Sequence, residues 1–133
     1  MSANKISREQ AEQEINQWMD FKKEDDRDKH KENIETLVKS MVSGYLILDT
    51  EKMEFTQMLK FPTDGEMPMT KLTYKSRLSV AQTQAIVNGL KTDDLVAFSV
   101  AYACALTGQP KELIRKLDTI DFRVTQAIAG FFS

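Results

Sequence analysis

Residues 45–75 read YLILDTEKMEFTQMLKFPTDGEMPMTKLTYK, and the change of period inside this stretch decides the fold. Tyr45-Leu46-Ile47-Leu48 is a short β-type run, followed by turn residues Asp49-Thr50-Glu51-Lys52. In the next run Met53, Phe55, Leu59 and Phe61 fall on one face and Glu54, Thr56 and Lys60 on the other, with Gln57 and Met58 interrupting the alternation. Pro62-Thr63-Asp64-Gly65 is turn chemistry, because Asp-Gly tolerates positive φ. Thr70, Leu72 and Tyr74 then alternate with Lys71, Thr73 and Lys75. A three-stranded antiparallel meander is expected, and so small a sheet needs helices over its apolar face.

Helical patterns lie on both sides of it. Upstream, Ser7 and Gln10 make a capping-box pair ahead of Ala11, Ile15, Trp18 and Met19, which predicts a helix from about Ser7 to Phe21. Residues 22–33, KKEDDRDKHKEN, hold no large apolar residue and read as a solvated helix or a hinge. Ile34, Leu37, Val38, Met41 and Val42 form a second helical stripe that Gly44 ends. Downstream, Ser79 is a candidate cap for a helix with Ala81, Ala85, Ile86 and Leu90 on its apolar positions. Thr92, Asp93 and Asp94 open LVAFSVAYACAL, which is apolar almost all round; Leu95 to Leu106 are therefore expected in the core. Gly108 closes that helix, Pro110 starts KELIRKL, and Asp118 or Thr119 caps a last helix bearing Phe122, Ala127, Ile128, Phe131 and Phe132.

The expected class is α+β, mostly helical, with a small β-meander packed against several helices. Residues 1–44 carry 18 of the 38 charges, whereas eight of the ten alanines follow Arg77 and all seven methionines precede Thr70. This partition suggests a charged helical arm or helical pair over 1–44 and an α+β core over 45–133.

At 133 residues the chain fits one domain, and 41% hydrophobic with 29% charged residues suffices for a core without staples. A net charge of −2 gives no general attraction to nucleic acid or anionic membrane. No segment approaches the ~20 apolar residues of a membrane span, and no secretory apolar core opens the sequence, so a soluble intracellular protein is expected.

The chemistry-bearing residues are sparse. Cys104, the single cysteine, sits in the apolar run and reads as a small buried hydrophobe; His30, the single histidine, sits among charges and reads as a solvated surface residue. Asp25/Asp26 and Asp93/Asp94 are adjacent pairs that diverge on a helix rather than share a proton. The five glycines form neither GxxxxGK[ST] nor GxGxxG. Lys71, Lys75 and Arg77 near Tyr74 are the one basic cluster that could meet phosphate with a stacked base, set against a solvated strand face. Catalytic, cofactor and metal sites are accordingly not expected. Partner binding has more material: Trp18 and Met19 on the first helix, Met53, Met58, Met67 and Met69 around the strands, and Phe131 and Phe132, each with core packing as the competing role.

The order LKFPTDGEMPMTKLTYKSRLSVAQTQAI, then TDDLVAFSVAYACALTGQPKELIRKLDTIDFRVTQAIAGFF, resembles the tail assembly chaperones of long-tailed bacteriophages. The matching residues are Pro62, Asp64, Gly65, Arg77, Leu106, Gly108, Pro110, Glu112, Leu113, Leu117, Asp121, Phe122, Phe131 and Phe132. The likeness covers about Leu59 to Phe132 and does not extend over residues 1–58. It implies a non-enzymatic, self-associating protein of the host cytoplasm that binds the tape measure protein. Such a protein keeps that partner soluble until tail tube protein polymerises around it, and is absent from the finished virion. Some members are also made in a longer frameshifted form. A structural virion or head–tail adapter protein, and a small nucleic-acid-binding regulator, are the alternatives.

Overall fold

The computed structural model describes residues 5–23, 28–66, 68–91 and 93–132. Asp25, Asp26, Met67 and Thr92 lie outside the described residues. The fold is α+β and mostly helical, with a three-stranded antiparallel sheet packed against helices.

Helix α1 spans Arg8–Lys22 and starts where the sequence places it, the Ser7 hydroxyl accepting from the Gln10 N–H at 3.1 Å. A 3-10 turn, Asp28–His30, leads into α2, Lys31–Val42. The charged stretch thus supplies the last residue of α1 and the first turn of α2. Strands β1 (Leu46–Asp49), β2 (Glu54–Met58) and β3 (Lys71–Tyr74) pair antiparallel in sequence order, with Leu48 opposite Phe55 and Phe55 opposite Tyr74. Asp49 Oδ1 accepts from the N–H groups of Glu51 and Lys52, and Met53 adopts a positive φ of 55°, so the turn runs through Met53 and β2 begins one residue later. After the sheet come α3 (Val80–Val87), α4 (Leu95–Thr107), the single turn α5 (Lys111–Ile114) and α6 (Thr119–Ala129). Ser79 and Gln82 complete a reciprocal capping box for α3, and Asp94 and Asp118 cap α4 and α6.

Three expectations need correction. Gln57 does not break the β2 alternation: it is buried on the Phe55 face, as period two requires. Phe61 leaves that face beyond the strand and is 49% exposed. In α4 burial begins only at Val100, with Tyr102, Ala103 and Leu106; Leu95 is 74% and Val96 58% exposed. The physical reason is where α4 is held, since its far end is tied to the sheet by the Lys75 N–H donating to Leu106 O at 2.9 Å.

The two front helices share the core of the rest. Helix α2 packs on α1, α6 and β1, and Arg8 pairs with Glu35 across α1 and α2. The Trp18 indole stands edge-on to Phe55 of β2 (centroids 4.9 Å) and to Phe131 beyond α6 (5.0 Å). At Gly130 an added Cβ would meet the Asn33 side chain at 2.5 Å, so glycine lets α6 close on α2.

A buried polar network joins sheet to α6. The Asp121 carboxylate accepts from the backbone N–H groups of Lys60 (2.9 Å) and Phe61 (3.0 Å), and Gln57 Nε2 donates to Asp121 O. The Tyr74 hydroxyl donates to Gln57 Oε1 at 2.6 Å and lies 2.8 Å from Thr125 Oγ1. Burial raises the Tyr74 phenol above its ordinary value; the Thr125 hydrogen bond opposes this, and the charge of Asp121 adds to it.

Unfolded tyrosine releases its proton near pH 10 while folded Tyr74 holds it, so the unfolded state binds fewer protons there and stability falls as pH rises past about 10. Tyr74→Phe is expected to cost about 1–2 kcal/mol at neutral pH through the partners left behind, and to flatten that alkaline decline. Urea titrations of both proteins between neutral pH and pH ~11 check both effects.

Candidate functional site

Of the seven described residues expected to bind partners, three are buried and four are half-buried. Trp18, Met19 and Phe131 are core residues, and Met53, Met69 and Phe132 are half-buried and packed against that core. Trp18, Phe131 and Phe132 do come together, and Lys22 Nζ lies 3.5 Å over the Phe132 ring, covering the cluster from the solvent side. Met58 is half-buried on β2.

His30 is also corrected. It is only 4% exposed, and its ring stacks on Phe131 at 4.3 Å with 26° between planes. Its charged sequence neighbours concealed this. The signal was the spacing, because His30 precedes Ile34, Leu37, Val38 and Met41 by one further helical turn. Cys104 is half-buried; burial pushes its thiol up, Glu112 adds to the rise and Lys111 opposes it, so the thiol stays protonated at neutral pH. Tyr74 is buried with its hydroxyl engaged, which removes it as a base-stacking platform beside Lys71 and Lys75. Arg77 stacks over the Phe21 ring at 4.8 Å and donates to Phe21 O, tying the segment after β3 to the end of α1.

The surface that the sequence did not single out is α4. An almost wholly apolar helix is expected to be buried on all sides, yet its first turn projects Leu95 and Val96 into solvent. Val80 of α3, which packs beside α4, is 76% exposed. Two grooves flank the projecting turn. The α4/α6 groove, about 380 Å³, runs from Leu95 past Phe98 and Tyr102 to Ala129, with Ser99 and Gln126 as its polar side chains. The α4/α5 groove, about 330 Å³, runs from Leu90 and Val96 past Val100 to Cys104 and is rimmed by Asp94, Lys111 and Arg115. The first is apolar and uncharged; the second has opposite charges on its rim.

Among the described residues no group of three or more His, Cys, Asp or Glu side chains is placed to hold a metal ion. Among them, too, no helix is long and apolar enough to cross a membrane. No family model, curated protein or solved structure matches the chain.

The division between core and surface has a direct consequence for stability. Trp18→Ala should cost about 3–5 kcal/mol, whereas Leu95→Ser and Val96→Ser should each change stability by no more than about 0.5 kcal/mol. Because Trp18 is the sole tryptophan, its fluorescence and the far-ultraviolet circular dichroism of the wild type should report one coincident unfolding transition.

Proposed function

We propose that this chain is a non-enzymatic tail assembly chaperone that holds an apolar helical segment of a tape measure protein in the α4/α6 groove. The observation that carries the proposal is Leu95, 74% exposed at the mouth of a groove with no charged lining residue. Full burial of such a side chain is worth about 1.5–3 kcal/mol, a gain this chain leaves unrealised by itself and a bound helix would collect. Helix-in-groove recognition asks for an apolar floor with few polar groups, and Phe98, Tyr102 and Ala129 supply it. The partner is named by the resemblance over Leu59–Phe132, whose residues Leu106, Gly108 and Asp121 here end α4 and anchor α6, the two walls of the groove.

On this reading the protein acts in the host cytoplasm, hands its client to tail tube protein, and does not remain in the virion. Shielding of apolar segments requires no reactive group, only contact area that closes over the client and opens again. A groove this shallow gives a weak, exchangeable hold on each segment, as a chaperone needs when a polymer must displace it.

Co-expression with the tape measure protein from the same genome tests the proposal. The wild type should raise the soluble fraction of that partner and copurify with it, and Leu95→Glu should reduce the recovered complex at least tenfold while the variant itself stays folded. No gain in solubility and no complex with the wild type would overturn the chaperone reading. Stoichiometric amounts of this chain in purified particles, read by mass spectrometry, would replace it with a structural virion protein.

A further inference from the structure

We infer that the α4/α6 groove reads its client by knobs-into-holes packing, and that Ser99 sets the size of side chain the groove admits. The inference deepens the reading of this groove as a helix site and rests on it. It names the class of segment bound: a helix whose large aliphatic residues repeat at alternating steps of three and four.

The residues that α4 gives the groove are Leu95, Phe98, Ser99 and Tyr102. They stand at i, i+3, i+4 and i+7, the diamond of neighbouring side chains that makes one hole of a coiled coil. Seven residues of helix separate its two ends, which is about 10 Å. One flank of the diamond is the large Phe98 and the other the small Ser99, so the room for a knob lies on the Ser99 side. The far end is closed, because Tyr102 is buried, and the near end is open, because Leu95 is 74% exposed. A leucine entering this hole covers Leu95 and completes the packing that α4 has at its Tyr102 end.

The opposite wall repeats the pattern. Gln126, Ala129 and Gly130 stand at i, i+3 and i+4, three corners of a second diamond. Ala129 carries one methyl group and Gly130 no side chain, so the backbone of an occupant can lie close to α6 while its large residues point at α4. Two walls built on steps of three and four match an occupant with the same steps, which is an α-helix. An extended segment, whose side chains change face at every residue, meets them out of step. None of the lining residues is charged, so the seam that the occupant buries there is apolar.

Titration calorimetry of the full chain with designed three-heptad peptides tests this. The first peptide carries leucine at a and d, with glutamate at e and g so that like charges keep it from pairing with itself. A second has the same composition, rearranged so that leucine alternates with polar residues. The wild type should bind the first at least tenfold more tightly than the second. It should also prefer the first at least tenfold over a third peptide that has alanine for leucine at every d position. Ser99→Ala keeps the hole and should bind the first peptide within about twofold of the wild type. Ser99→Leu fills the hole; it should weaken that binding at least tenfold and shrink the leucine-over-alanine preference to less than about threefold. Circular dichroism checks that both variants are folded. A wild type that binds none of the peptides, or binds the first two alike, overturns the inference, and so does a Ser99→Leu variant with unchanged affinities. Because the peptides owe nothing to a tape measure protein, the two readings fail separately. Peptide binding without a co-expressed complex removes the chaperone reading and leaves this inference, and a complex without these peptide preferences does the reverse.

Discussion

The Asp121 carboxylate is the constraint on which the rest of the arrangement depends. It sits in the first turn of α6, where the helix terminus favours an anion, and accepts two backbone N–H groups from the residues that follow β2. Those donors would otherwise be stranded where the strand stops and the chain turns away. Gln57 bonds to the carbonyl of the same aspartate, and Tyr74 and Thr125 extend the connection from β3 to the second turn of α6. The direction of α6 is therefore fixed by hydrogen bonds at its start, before any apolar contact is counted. From that direction follow the delivery of Phe131 to Trp18 and the position of Ala129 as a wall of the α4/α6 groove. Each bond is individually modest, but those of Gln57, Tyr74 and Thr125 lie in the buried interior, where an unpaired partner is costly, and the two to the Asp121 carboxylate are part-buried.

The sequence was informative wherever local chemistry governs. Ser7, Ser79, Asp118 and Gly108 mark element ends that side-chain caps or a left-handed residue enforce without help from distant segments, and the alternation of Leu72 and Tyr74 marked the inner face of β3. It was misleading where a tertiary partner decides. Gln57 looked like an interruption because an amide is counted as polar, yet its two ends are satisfied by Tyr74 and by the Asp121 carbonyl, 64 residues away in sequence. His30 looked solvated because neighbours in sequence were taken as neighbours in space. Its ring instead belongs to the face that α2 turns toward Phe131. No local pattern predicts either pairing, since Gln57 needs the first turn of α6 in place and His30 needs Phe131 just beyond its last turn.

The reading of α4 failed in the opposite direction, and its failure locates the candidate site. A helix apolar on every side is expected wholly in the core, but a domain of this size has too little surrounding structure to enclose one. The sheet takes the Leu106 end, α3, α5 and α6 each pack along part of α4, and together they leave its first turn uncovered. The residues expected to serve partners, Trp18 and Phe131 among them, were selected for being large and aromatic, the same property that puts them first in the core. Nothing local marks Leu95 and Val96, because a leucine and a valine in an apolar run are ordinary. Local sequence and tertiary placement conflict in this turn, and such conflicts concentrate where a protein has work other than folding.

The two sides of α4 differ in a way that suits two different occupants. An uncharged groove discriminates poorly among apolar helices, which is a disadvantage for a specific receptor but suits a protein that must cover many unlike segments of one long client. A groove lined by Asp94, Lys111 and Arg115 discriminates more, because an occupant with the wrong charge pattern sets like charges facing each other.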